Sequence, residues 1–206
     1  MKKLRLYLKQ NPQLWYLLFV PAFLICFFSL EAYITADKSY WSVYCPLDDL
    51  VPFWESFVIP YYLWYPLLFT TGFILLLKDV PNFKRYMQFL IFGFGAALVF
   101  CLLVPNGQDL RPENFARDNV FTRLVGLMYR MDTNTNVFPS MHVIGSVAAA
   151  VAVCKSSGLR RLRLPWIIIA AAVSISTVFI KQHSVLDIFG GLLFCLPIYW
   201  LLYRRN

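Results

Sequence analysis

The sequence predicts an all-α polytopic membrane protein, a bundle of six transmembrane helices forming a single domain over residues 1–206. Three observations predict it. Hydrophobic residues make up 59% of the chain and charged residues only 15%, where a soluble domain carries about 25% charged residues. Six apolar stretches approach the roughly 20 residues that a helix needs to cross a bilayer. Phe (19), Tyr (12) and Trp (6) are abundant, and such rings gather at membrane interfaces.

The first span is expected over residues 13–30. Its apolar stretch is longer than the core of a signal peptide, and no small-x-small cleavage site follows, so it reads as a retained anchor. The second covers residues 57–77, with Pro60 and Pro66 near its start. The third covers 86–104 and stops at Pro105. The fourth begins at Pro139 and Ser140 and ends near Cys154. The fifth runs from Leu164 or Pro165 to about Ile180, and the sixth from Ser184 to Tyr203.

Six spans put both termini on one side, and charge decides which. One set of loops holds Lys2, Lys3, Arg5, Lys9, Lys78, Lys84, Arg85, Lys155, Arg160, Arg161, Arg163, Arg204 and Arg205, 13 of the 19 basic residues. The other holds Lys38, Arg111, Arg117, Arg123, Arg130 and Lys181. The positive-inside rule makes the first set, and both termini, cytoplasmic. The net charge of +8 is thus a set of topology signals spread between apolar spans, not a nucleic-acid face.

The two long loops, 31–56 and 105–138, then face outwards. The first carries Trp41, Tyr44 and Trp54 and is expected to lie along the interface. In the second, Val120, Phe121, Leu124, Leu127, Met128 and Met131 recur at helical spacing, which predicts an interfacial amphipathic helix over 119–131. Of the five cysteines, Cys26, Cys101, Cys154 and Cys195 fall in apolar runs and Cys45 in a loop. An odd count without C-x-x-C spacing indicates neither a disulfide framework nor a zinc site.

The chain has two histidines, and both fall at outer helix starts: His142 in Pro139-Ser140-Met141-His142, and His183 in His183-Ser184-Val185-Leu186-Asp187. On this topology they share one membrane depth. His183 and Asp187 are four apart and share a helix face. A carboxylate on one ring nitrogen fixes the tautomer and leaves the other free to attack. Ser140 stands where a helix begins, and unpaired N–H groups and the helix dipole there suit a phosphate. His142 is placed to protonate a departing alkoxide, and Arg111 offers a planar fork for phosphate oxygens. Each also has a plainer reading: interfacial histidines, a helix-stabilising pair, an ordinary Pro-Ser helix start. Asp187 near the start of an apolar span weighs towards function, because ionisable residues there are costly.

These residues resemble the motifs of the type 2 phosphatidic acid phosphatase superfamily, K-x6-R-P, P-S-G-H and S-R-x5-H-x3-D. Pro139-Ser140-Met141-His142 matches the second. Ser176, His183 and Asp187 keep the spacing of the third, and Arg111-Pro112 matches the end of the first. The resemblance covers residues 104–187. It implies a metal-independent lipid phosphate phosphatase or phosphotransferase with no cofactor, acting on a lipid phosphate among membrane lipids at the outer face. It assigns the phosphohistidine to His183, the leaving-group acid to His142, the orienting carboxylate to Asp187, and phosphate binding to Arg111 and Ser140. Three positions depart from the motifs: Val104 for Lys, Thr177 for Arg and Met141 for Gly. Lys181, four residues after Thr177, is a candidate replacement cation if the segment is helical there. Such departures resemble the branch of inositol phosphorylceramide and sphingomyelin synthases, which pass the phosphorylated head group to a lipid alcohol. Hydrolysis is the preferred expectation, transfer the alternative, and a non-catalytic anionic-lipid binder the third.

Overall fold

The computed structural model describes residues 10–35 and 39–204. Lys2, Lys3, Arg5, Lys9, Lys38 and Arg205, which enter the topology reading, lie outside the described residues. Among the described residues, the regular structure is helical apart from one short ladder and one isolated bridge between Gly107 and Thr135. In order, the elements are α1 (Pro12–Tyr33), β1 (Trp41–Ser42), α2 (Leu47–Leu50), α3 (Glu55–Lys78), α4 (Val80–Leu103), β2 (Asn106–Gly107), α5 (Val120–Met131), α6 (Met141–Lys155), α7 (Ser157–Phe179) and α8 (Val185–Tyr203).

Among the described residues, five helices are long and apolar enough to cross a membrane: α1, α3, α4, α7 and α8. The sixth expected span, α6, has 15 residues, about 22 Å at 1.5 Å per residue. It falls short of a hydrocarbon core of about 30 Å, and it is the most enclosed helix of the set. It packs against α3, α4, α7 and α8. Its run of Gly145, Ser146, Ala148, Ala149 and Ala152 lets those neighbours approach closely. The outward faces of the others carry exposed Leu, Ile and Phe, such as Phe69 and Leu103. In water so large an apolar surface would be a liability; facing lipid it is the expected state. The protein is an integral membrane protein.

The boundaries follow local chemistry. Helix α4 begins at Val80, earlier than the expected residue 86, because Asp79 caps it by accepting from the Asn82 N–H at 3.2 Å and Pro81 sits in its first turn. Lys84 and Arg85 suggested a loop but belong to the helix. Helix α5 matches its expected range and starts with a capping box between Asn119 and Thr122. The first span packs on α4 through Phe23, whose ring lies 5.0 Å from that of Phe94. Beyond the membrane spans, β1 pairs parallel with β2, Trp41 opposite Asn106 and Ser42 opposite Gly107, and ties the two long loops together.

Candidate active site

Two helix starts build the site. Ser140 caps α6, its Oγ accepting from the Val143 N–H at 3.4 Å. Ser184 caps α8, its Oγ accepting from the Leu186 N–H at 3.1 Å, while Asp187 Oδ2 accepts the Ser184 N–H at 3.0 Å. The two starts abut. The Ser140 N–H donates to the Asp187 carbonyl at 3.3 Å. A Cβ on Gly191 would meet Val143 Cβ at 2.7 Å, so only glycine admits this approach. As a result the His142 and His183 rings lie 5.5 Å apart at 66°.

His183 Nδ1 is 2.9 Å from Asp187 Oδ2, with both side chains almost wholly buried. With Asp187 accepting, Nδ1 carries the proton and Nε2 keeps its lone pair. His142 is wedged between the rings of Tyr61 and Trp64, at 4.5 and 4.6 Å. Its buried Nε2 has no hydrogen-bond partner. Both histidines line a cleft of about 210 Å³. Gln182, Asp132 and Met141 line it from the site side, and Phe23, Phe27 and Phe28 of α1 from the lipid side. The first span is therefore peripheral to the bundle yet walls the cleft.

The phosphate-binding candidates are placed differently. Ser140 is fully buried with its hydroxyl on the helix cap. Arg111 donates to the carbonyls of Tyr129, Asp132 and Thr133 at 3.1, 2.7 and 2.8 Å and to the side-chain oxygen of Gln182. Its guanidinium lies over the Tyr129 ring at 4.3 Å. It thereby staples the chain after α5 to the residue preceding His183. Lys181 donates from Nζ to the Asp48 carbonyl at 2.7 Å. Burial draws its ammonium below the ordinary lysine range, and Asp48 and Asp49 push it back up.

The helix that would stack Lys181 on Thr177 is not formed. Helix α7 ends at Phe179, and Lys181 takes the left-handed conformation at φ 55°. The Gln182 N–H then reaches back to the Thr177 carbonyl at 2.9 Å and the Lys181 N–H to the Val178 carbonyl at 3.1 Å. This is a Schellman end built on a lysine rather than the usual glycine. The turn sets His183 at the start of the next helix, and Thr177 anchors it through its backbone carbonyl, which also accepts the His183 N–H at 3.1 Å.

Two carboxylates escaped the sequence reading. Asp48, from α2 in the first long loop, is 1% exposed. Its Oδ1 accepts from the Val185 N–H at 2.7 Å, and its Oδ2 from Ser184 Oγ at 2.6 Å and the Cys45 N–H at 2.8 Å. It is a second cap on α8, the helix that starts two residues after His183. Asp132, just past α5, accepts from Tyr61 OH at 2.7 Å. Burial pushes its carboxyl above the ordinary range, while Tyr61, His183 and Arg111 pull it down. The only sequence signal was two acids in outer loops with no basic residue at pairing distance along the chain.

No curated protein and no solved structure matches the chain significantly. The family model of the PAP2 superfamily matches residues 17–206, most of the chain and both histidine helix starts. By that match the chain belongs to the PAP2 superfamily.

Proposed function

We propose that the protein cleaves a phosphate ester of a lipid, without a metal, through a phosphohistidine on His183, with water as the final acceptor. Superfamily membership supports a phosphatase- or phosphotransferase-type activity on a lipid phosphate. The single observation that carries the finer reading is His183, held through Nδ1 by Asp187 at 2.9 Å, facing a His142 whose Nε2 is unpartnered.

The chemistry follows from that geometry. His183 Nε2 attacks phosphorus, and Asp187 stabilises the charge that grows on the ring. His142 gives a proton to the departing alkoxide, then takes one from the water that attacks the N–P bond. The start of α6, which Ser140 caps, presents its helix dipole to the phosphate. Arg111 and Lys181 act from behind, Arg111 by fixing Gln182 and Lys181 by fixing the turn. The charge distribution between loops supports an outer-facing site and cytoplasmic termini.

Transfer to a lipid alcohol is the second reading. The aromatic wall given by α1 favours it, because an apolar-sided cleft can admit a lipid acceptor beside the donor. Release of water-soluble phosphorus from a lipid panel in EDTA, by wild type and by His183→Ala, tests the proposal. Release by wild type alone is expected. Equal release by the variant refutes the phosphohistidine. A new phosphorylated lipid formed only when a lipid alcohol is added, with no water-soluble phosphorus released, establishes transfer.

A further inference from the structure

The cleft has a charge pattern that suits one class of phosphate ester. Among the described residues that line it there is no Lys and no Arg, and there is one carboxylate, Asp132. Arg111 stands close to Asp132, but its two terminal nitrogens donate to backbone carbonyls, including that of Asp132, and to Gln182, and its Nε is buried without a partner and does not line the cleft. The two opposite charges offset each other. A phosphate monoester carries about −1.5 to −2 at neutral pH, and the cleft offers no net positive charge for it. A diester carries one negative charge, about half of the monoester's, and asks correspondingly less of such a cleft.

Asp132 has a surrounding that a mere counter-ion to Arg111 does not need. Its carboxylate turns to Tyr61 OH at 2.7 Å rather than to the guanidinium. It lies within electrostatic reach of Tyr62 and Tyr65. Both of those rings and Trp64 line the same cleft, with Tyr62 and Tyr65 centred 6.4 Å apart and Trp64 edge-on to Tyr65 at 5.2 Å. Aromatic faces around a carboxylate attract ammonium and quaternary ammonium groups.

We propose that the site takes a lipid phosphodiester with a cationic head group, its phosphate between His142 and His183 and its ammonium against Asp132, Tyr62 and Tyr65. This rests on the phosphohistidine reading above. His183 Nε2 bonds to phosphorus as the P–O bond to the lipid alcohol breaks, and His142 protonates that alkoxide. Water then attacks phosphorus, gives its proton to His142, and breaks the N–P bond. The products are the lipid alcohol and the phosphorylated amino alcohol.

The test uses the full chain in detergent with EDTA and four lipids of the same acyl composition. These are phosphatidic acid, phosphatidylglycerol, phosphatidylethanolamine and phosphatidylcholine, each with and without a long-chain lipid alcohol acceptor. The expected kcat/KM for at least one of the two cationic lipids is roughly tenfold or more above both others. Asp132→Asn is expected to collapse that ratio towards one, with Asp132→Glu restoring part of it. The split between the two cationic lipids tells a primary from a quaternary ammonium. Faster turnover of phosphatidic acid or phosphatidylglycerol overturns the proposal, as does an Asp132→Asn variant that slows all four lipids equally. Both results leave the histidine chemistry intact. Cleavage that survives His183→Ala, or no turnover of any lipid, sinks the underlying reading as well.

Discussion

Replacing Asp48 by alanine removes the second cap of α8 and is the sharpest test of how the His183 segment is held. The substitution deletes three hydrogen bonds at once, from Val185 N–H at 2.7 Å, Ser184 Oγ at 2.6 Å and Cys45 N–H at 2.8 Å. A hydrogen bond to a charged group contributes about 1.5–3 kcal/mol net, and an orphaned buried donor costs about as much again. Ser184 is fully buried, so water cannot repair its loss freely, although its hydroxyl keeps the Leu186 N–H at 3.1 Å. Loss of a cap alone is worth about 0.5–2 kcal/mol. These contributions overlap and do not add, and the net loss expected for breaking a buried charged network is about 3–5 kcal/mol, against a total stability of about 5–15 kcal/mol for a domain. At about 2–4 °C per kcal/mol for a chain of this size, the midpoint of thermal unfolding in detergent should fall by roughly 6–20 °C. Asp48→Asn keeps one acceptor and should lose less than half as much. A drop below about 1 kcal/mol for Asp48→Ala would mean that the loop merely rests against the helix.

Three further outcomes are expected. Asp187→Asn frees the tautomer of His183 while keeping shape, and kcat should fall by about 10³–10⁴ with KM little changed; a loss below tenfold would remove the orienting role. His142→Ala should lower turnover of an alkyl ester by about 10²–10⁴ but leave an ester with a p-nitrophenolate leaving group far less affected, since that group needs no proton, and equal losses on both would refute the acid role. Gly191→Ala should press α8 away from Val143, which a Cβ would meet at 2.7 Å. It should cost about 1–3 kcal/mol and about 10² in kcat, and full activity in the variant would show that the two helix starts need not abut.

The membrane fold was legible because its signal is local: apolar length, flanking charge, and proline or serine at helix starts. Spans one, two and six fall close to their expected limits for that reason, while α7 starts at Ser157 rather than at 164–165 because a short 3-10 segment, Ser157–Leu162, leads into it. The start of α4 was misplaced because Lys84 and Arg85 outweighed the Asp79 cap in a reading by charge. The pairing of His183 with Asp187 follows from a four-residue spacing, and the meeting of His142 with His183 from shared depth. What was not legible depends on distant partners. Asp48 acts 136 residues along the chain, and nothing in its own neighbourhood says so. Arg111 was read as a free fork because its four acceptors, three of them backbone carbonyls, are invisible in sequence. Lys181 was judged on a helix that the left-handed turn replaces, a conformation sequence assigns to glycine first.

The long reach of Asp48 also bears on biogenesis. A ribosome releases this aspartate 136 residues before the serine it binds, and the chain enters the bilayer in that order. Helix α8 follows Asp48 into the bilayer, so the cap is made long before the helix start that it holds. A nascent chain that ends before His183 holds His142 and the aromatic walls but not the His183–Asp187 pair.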